Sequence, residues 1–231
     1  MNQRICWLGA LLAMAGMAFV SLRGQEATPD PTSLTNLTLR EMGAGVFQLG
    51  RVTLDRTQRE IRFPAVVNMT AGPIEYFLVT ESGKTHESVL RTAVEPFQIH
   101  TAMLLLGVKG AGGTPFPTNA TERLPGDPVL LEVRWKERGK ERRAAAEQFV
   151  RNREARRVMK RGVWIYNGSR VAEIGFVAQE TGSIIALMED PDALVNNPRP
   201  GRERDDIWEA LAKGLPAAEA EVEVRIRLKG K

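Results

Sequence analysis

Thiol and imidazole side chains are nearly missing from this chain: its 231 residues hold one cysteine, Cys6, and two histidines, His86 and His100. One thiol cannot build a disulfide framework, and so few soft ligands leave little room for a multi-ligand metal site or a thiol mechanism. A Cys-ligated iron–sulfur cluster is excluded. No apolar run reaches the roughly 20 residues of a membrane span; the run from Ile5 to Val20 has sixteen. What remains is ordinary, with 43% hydrophobic and 26% charged residues, 21 Gly and 13 Pro. That balance excludes disorder, collagen and coiled coil as the main architecture, and the length suffices to bury a core.

The short apolar run has a different use. Arg4 precedes it and the polar stretch Gln25-Glu26-Ala27-Thr28-Pro29-Asp30-Pro31 follows it, which is the layout of an export signal. Residues 1–24 therefore read as a signal peptide, with an uncleaved anchor as the alternative, and residues 25–35 as a polar linker. Cys6 lies near the start of the run, so it is not placed for lipid attachment, and cleavage leaves a mature chain with no thiol. The expected location is periplasmic or secreted, with inner-membrane anchoring as the alternative. Membrane contact would then come only through the uncleaved N-terminal segment.

The formal net charge of +4 is uneven. Residues 134–161 hold twelve Lys and Arg against Glu137, Glu141, Glu147 and Glu154, so this segment is +8 and the remainder −4. The acids are interspersed and the stretch has only Trp135 and Phe149 for stacking, which reads as a solvated basic face and not as a nucleic-acid site. Gly and Pro crowd residues 107–128 into a loop inside a single domain over residues 36–229.

Strand signals dominate that domain. The clearest is residues 221–228, where Val222, Val224, Ile226 and Leu228 alternate with Glu221, Glu223, Arg225 and Arg227. Other strands are expected at 46–49, 52–54, 61–69, 74–80, 129–135, 162–166, 173–178 and 183–187. One helix is expected over 96–106, with Pro96 at its first position and Gly107 as its stop, and with so little polar surface that most of its circumference should be buried. A second helix is expected at 144–150, and short helical turns at 191–195 and 205–211. The fold class expected is α+β, a mainly antiparallel sheet with one buried central helix and short peripheral helices.

Both histidines fall within fifteen residues of each other, in Thr85-His86-Glu87-Ser88 and at His100. Two imidazoles and the Glu87 carboxylate make the ligand set of many catalytic zinc or iron sites. The bland reading makes His100 a hydrogen-bonded core residue and lets Thr85, Glu87 and Ser88 satisfy strand ends. A second polar cluster, Asp190 with Asn196 and Asn197, has the oxygen density of a hard-cation site but not the spacing of one; turn formation and capping explain it more simply.

The words Ile74-Glu75-Tyr76-Phe77-Leu78-Val79-Thr80, Gly83-Lys84-Thr85-His86-Glu87-Ser88-Val89-Leu90 and Ile99-His100-x-Ala102-x-Leu104-Leu105-Leu106-Gly107 resemble the YdjY-domain family of exported bacterial proteins. Gly182-Ser183-Ile184-Ile185-Ala186 and Asp190-Pro191-x-Ala193-Leu194-x-Asn196-Asn197-Pro198 continue the likeness. The resemblance implies a bacterial envelope protein and carries over no catalytic residue. Some relatives bear a ferredoxin-type label, which this chain lacks the cysteines to support. The expected function is a non-catalytic domain binding an envelope protein or small ligand, with no cofactor and no nucleic acid. Its most polar pocket would lie at Thr85–Ser88 and His100. The alternative is a metal-dependent hydrolase whose divalent ion is held by His86, Glu87 and His100.

Overall fold

Strands that bury one face and have nothing to cover it must find a second layer or curl round on themselves; this chain does the latter. The computed structural model describes residues 38–230, and the expected signal segment 1–24 and linker 25–35 lie outside the described residues. In chain order the strands are β1 (Leu39–Gly43), β2 (Val46–Leu49), β3 (Val52–Asp55), β4 (Glu60–Val67), β5 (Tyr76–Thr80), β6 (Ser88–Thr92), β7 (Asp127–Glu137), β8 (Lys140–Ala145) and β9 (Val150–Asn152). They continue with β10 (Arg157–Val158), β11 (Trp164–Tyr166), β12 (Val171–Ala172), β13 (Gly175–Phe176), β14 (Ser183–Ala186), β15 (Val195–Asn196), β16 (Trp208–Ala210) and β17 (Glu221–Leu228). Two α-helices, α1 (Pro96–Leu105) and α2 (Val177–Thr181), complete the set.

Strands β1 to β4 form an antiparallel meander, and from β4 the order runs through β17, β7, β11, β15, β14, β5 and β6. β6 then pairs back onto β4, with Val66 opposite Arg91 and Val67 opposite Leu90, and this seam closes an eight-stranded barrel. The period-2 pattern fills it: Val222, Val224, Ile226 and Leu228 of β17 point inward beside Val129, Leu131 and Val133 of β7 and Ile61, Phe63, Ala65 and Val67 of β4.

Six of the eight seams are antiparallel. The exceptions are β5–β6, with Leu78 opposite Leu90, and β14–β15, with Ile185 opposite Val195. A parallel neighbour obliges the chain to return to its starting end before the next strand begins. Residues 81–87 make one return and residues 187–194 the other. Side chains from both meet at Tyr76, whose hydroxyl donates to Asp190 Oδ2 at 2.9 Å and whose ring centroid lies 5.2 Å from Lys84 Nζ. Tyr76, Val79, Ala186 and Ala193 form an apolar cluster apart from the main core, and β5 and β14 are buried at every position.

The expected α+β class with a central helix is therefore wrong. Strand takes 40% and helix 11% of the described residues, and the fold is a closed β-barrel. α1 forms, but it packs against the barrel wall beside β3 and β4 and against α2. Its buried positions are Pro96, Ile99, Ala102 and Met103, while Leu104 and Leu105 are exposed. The helix expected at 144–150 is strand β8 to Ala145 followed by a 3-10 turn at Ala146–Phe149, because β7 offers a ladder in which Glu132 faces Ala145; pairing overrides alanine's helix propensity. The helical turns expected at 191–195 and 205–211 are not helical: residues 191–194 turn into β15, and 205–207 bend into β16. The strand expected over 173–178 gives way after Phe176 to α2, and β6 carries no alternation by which to foresee it, being buried at four of five positions. Among the described residues no helix is long and apolar enough to cross a membrane.

Candidate functional site

Pro96 occupies the first turn of α1, where its fixed φ suits a helix and its missing N–H costs nothing. The helix stops at Gly107, whose φ of +80° is free of strain only for glycine. There the Gly107 N–H donates to Leu104 O at 2.8 Å and the Val108 N–H to Met103 O at 3.2 Å, closing a Schellman-type cap. This stop turns the chain into the Gly-rich loop, which is pinned to the strand end after β11: the Ala111 N–H donates to Asn167 O at 2.7 Å. A side chain at Gly110 would stand 2.5 Å from that same carbonyl oxygen, so the approach needs glycine.

Between α1, this loop, residues 167–171 and Phe176 lies a cavity of about 530 Å³. His100 and Leu104 reach it from α1, Phe116 and Pro115 from the loop, and Val171 and Arg170 from the β12 side. His100 Nδ1 is 2.7 Å from the hydroxyl of Tyr166, a fully buried residue of β11, and the imidazole packs on Phe176 with centroids 4.8 Å apart. Burial pushes the Tyr166 phenol above its ordinary range, so it keeps its proton. Nδ1 is the only hydrogen-bond partner of that hydroxyl among the described residues; accepting from an Nδ1–H would leave the buried O–H without an acceptor, so the arrangement that satisfies it has the hydroxyl donating to Nδ1. The ring is then neutral with its proton on Nε2, in keeping with burial holding the His100 pKa below its ordinary value. Arg170 Nε donates to Asp192 Oδ1 at 2.7 Å.

The other sequence candidates lie elsewhere. Thr85, His86 and Glu87 form a 3-10 turn in the return between β5 and β6. His86 is mostly exposed, and Glu87 pairs with Lys84 at 3.1 Å. Beside them Glu75 also meets Lys84 at 3.3 Å, while burial pushes its carboxyl above the ordinary range. Ser88 is buried and donates to Leu90 O at 2.7 Å; Asn68 Nδ2 braces the turn through Thr85 O and Ser88 O. His100 lines the cavity and these four residues do not. Among the described residues no three His, Cys, Asp or Glu side chains are grouped to hold a metal ion, so His86, Glu87 and His100 do not form a joint ligand set.

Asp190, Asn196 and Asn197 do assemble, as scaffold. Asn196 Oδ1 accepts from the Asp190 N–H at 2.8 Å, and its Nδ2 donates to Asn167 Oδ1 at 2.9 Å and Asp190 O at 2.8 Å. Asn197 Nδ2 donates to Leu187 O at 2.9 Å, and its Oδ1 accepts from the Arg199 N–H at 3.1 Å. Both amides are fully buried with their polar atoms engaged, which is the condition for a buried amide to be tolerated. Sequence reading missed Tyr166, Arg170 and Phe176, because nothing in the sequence joins them to His100.

A closed barrel with a lateral cavity walled by one helix and a Gly-rich loop is the class of protein that fold and site define. The chain matches the YdjY domain over residues 52–227 and belongs to that family. No curated protein and no solved structure matches it.

Proposed function

We propose that the protein is a non-catalytic ligand-binding domain of the bacterial cell envelope, exported by residues 1–24, and that its ligand sits in the His100 cavity. The observation that carries this reading is the cavity itself: about 530 Å³, largely apolar walls, and one oriented hydrogen-bond donor at His100 Nε2. That combination of size, wall and few fixed polar groups suits a small molecule. The polar returns at Thr85–Ser88 and Asp190–Asn197 serve the fold in this reading, and an envelope protein remains the alternative occupant.

Native mass spectrometry on the full chain, isolated from the envelope without denaturant, tests the proposal. A co-purified small molecule should accompany the wild-type chain and be lost from Ala111→Trp, which places an indole in the cavity. A wild-type chain that is empty, and whose backbone resonances do not respond to an envelope small-molecule extract, would end the ligand reading.

A further inference from the structure

The geometry points to an amphipathic carboxylate as the occupant of this cavity: an apolar chain or ring carrying one acidic head group, held by His100 Nε2–H and Arg170. The inference rests on the ligand-binding reading above and adds the chemical class.

The one charged side chain that lines the cavity is a cation, Arg170, ion-paired through Nε with Asp192. His100 and Arg170 are the ionisable residues that line it, and no carboxylate does among the described residues. Most other polar side chains there are already engaged. Ser169 Oγ donates to Asp192 O at 2.7 Å and accepts from the Ala178 N–H at 3.1 Å. Asn167 Nδ2 donates to Pro125 O at 2.5 Å, and its Oδ1 accepts from Asn196. Thr114 is the exception. Apart from the Thr114 hydroxyl, which can donate or accept, the side-chain groups still on offer are donors. His100 Nε2–H has no partner among the described residues, because the Tyr166 hydroxyl is committed to Nδ1. Arg170 uses Nε toward Asp192, and its Nη donors have no partner among the described residues. A guanidinium with both Nη groups free favours a carboxylate over a neutral acceptor.

The apolar part is equally specific. Seven large apolar side chains are exposed among the described residues, and two of them, Leu104 and Val171, are at this cavity. Leu105 follows on α1, and Ile174 stands on the same β12–β13 hairpin as Val171. Apolar surface at a cavity mouth stabilises a ligand with an apolar tail that runs out past the rim. An acceptor head with an apolar body answers both halves of the site, whereas a cation meets mostly donors and a sugar meets mostly carbon.

Calorimetric titration of the full chain with decanoate, decan-1-ol and decylamine, all below micellar concentration, separates the possibilities. Decanoate should bind one per chain, at least tenfold tighter than decanol, and decylamine should not bind. Arg170→Gln and His100→Phe should each weaken decanoate by tenfold or more and weaken decanol, which carries no charge, by less, with circular dichroism showing both variants folded. Ala111→Trp should abolish both. Equal or tighter binding of decanol or decylamine overturns the acidic-head assignment while leaving the cavity reading intact. So does failure of decanoate on a chain that still carries an Ala111→Trp-sensitive molecule. Binding of several decanoates per chain, indifferent to Ala111→Trp, overturns it as surface adsorption. If none of the three probes binds and no molecule co-purifies, both readings fall.

Discussion

Asn196 decides whether the Asp190–Asn197 cluster is scaffold or an ion site. Replacing it with alanine breaks three hydrogen bonds, those to the Asp190 N–H, the Asp190 carbonyl and Asn167 Oδ1, at a fully buried position. At about 1 kcal/mol net per bond, with more for any group left unpaired, the loss comes to about 3 kcal/mol. For a domain of this size that corresponds to a fall in Tm of roughly 6–12 °C. Urea denaturation followed by tryptophan fluorescence reads it, and the denaturant slope should not change, because the surface exposed on unfolding is the same. Asn196→Asp sharpens the test. It keeps the acceptor for the Asp190 N–H but turns a second oxygen toward two acceptors, so its native carboxyl pKa rises above the unfolded value. Its stability is therefore best when the carboxyl is protonated and falls as pH rises through the carboxylate range. A loss below about 1 kcal/mol in Asn196→Ala would refute the scaffold argument, and so would rescue of Asn196→Asp by millimolar calcium at neutral pH.

Further outcomes follow from other parts of the molecule. Glu147 is buried and accepts from Arg199 Nη2 at 2.6 Å, Trp164 Nε1 at 3.1 Å and the Gly162 N–H at 3.2 Å. Burial holds the Arg199 pKa below its ordinary value even beside Glu147. Glu147→Ala should therefore cost about 3–5 kcal/mol by stranding the guanidinium, and Glu147→Ala/Arg199→Met should recover part of that in the same denaturation assay. The His100 pKa is lowered from 6.5 in the native state, so below pH 6.5 the unfolded chain takes up protons that the native chain resists. Wild-type stability should fall as pH drops below 6.5, and His100→Phe should remove that part of the slope in denaturation curves measured at successive pH values. Gly126 has φ +121°, and a Cβ there would run into the Tyr166 carbonyl oxygen. Gly126→Ala should destabilise the β7–β11 seam by more than about 2 kcal/mol, seen as loss of hydrogen-exchange protection at β7 and β11.

By itself the sequence determined whatever depends on neighbours along the chain. The alternation Val222, Val224, Ile226, Leu228 is β17 as found, because a strand's two faces are set by every second residue. Pro96 and Gly107 bracket α1 as expected, since backbone conformation at those positions is local chemistry. That one cysteine, Cys6, cannot supply a disulfide pair or a Cys-ligated iron–sulfur cluster is likewise read from composition. Composition and linear pattern carry no record of what meets across the barrel. β15 is two residues long and is a strand only because Ile165 and Ile185 offer it ladders on both sides. Closure turns on the β4–β6 seam, a pairing between segments that either end of a flat sheet could have left open. Closure likewise places α1 on the wall of the fold, where burial of Ile99, Ala102 and Met103 leaves Leu104 and Leu105 outside. The two polar clusters that the sequence singles out lie at the returns that parallel pairing requires, where Asp190 accepts from Tyr76 and its N–H donates to Asn196. His100 was visible as a residue but not as a donor. Its tautomer depends on Tyr166, sixty-six positions further along the chain, and only the folded barrel puts that hydroxyl 2.7 Å from the ring.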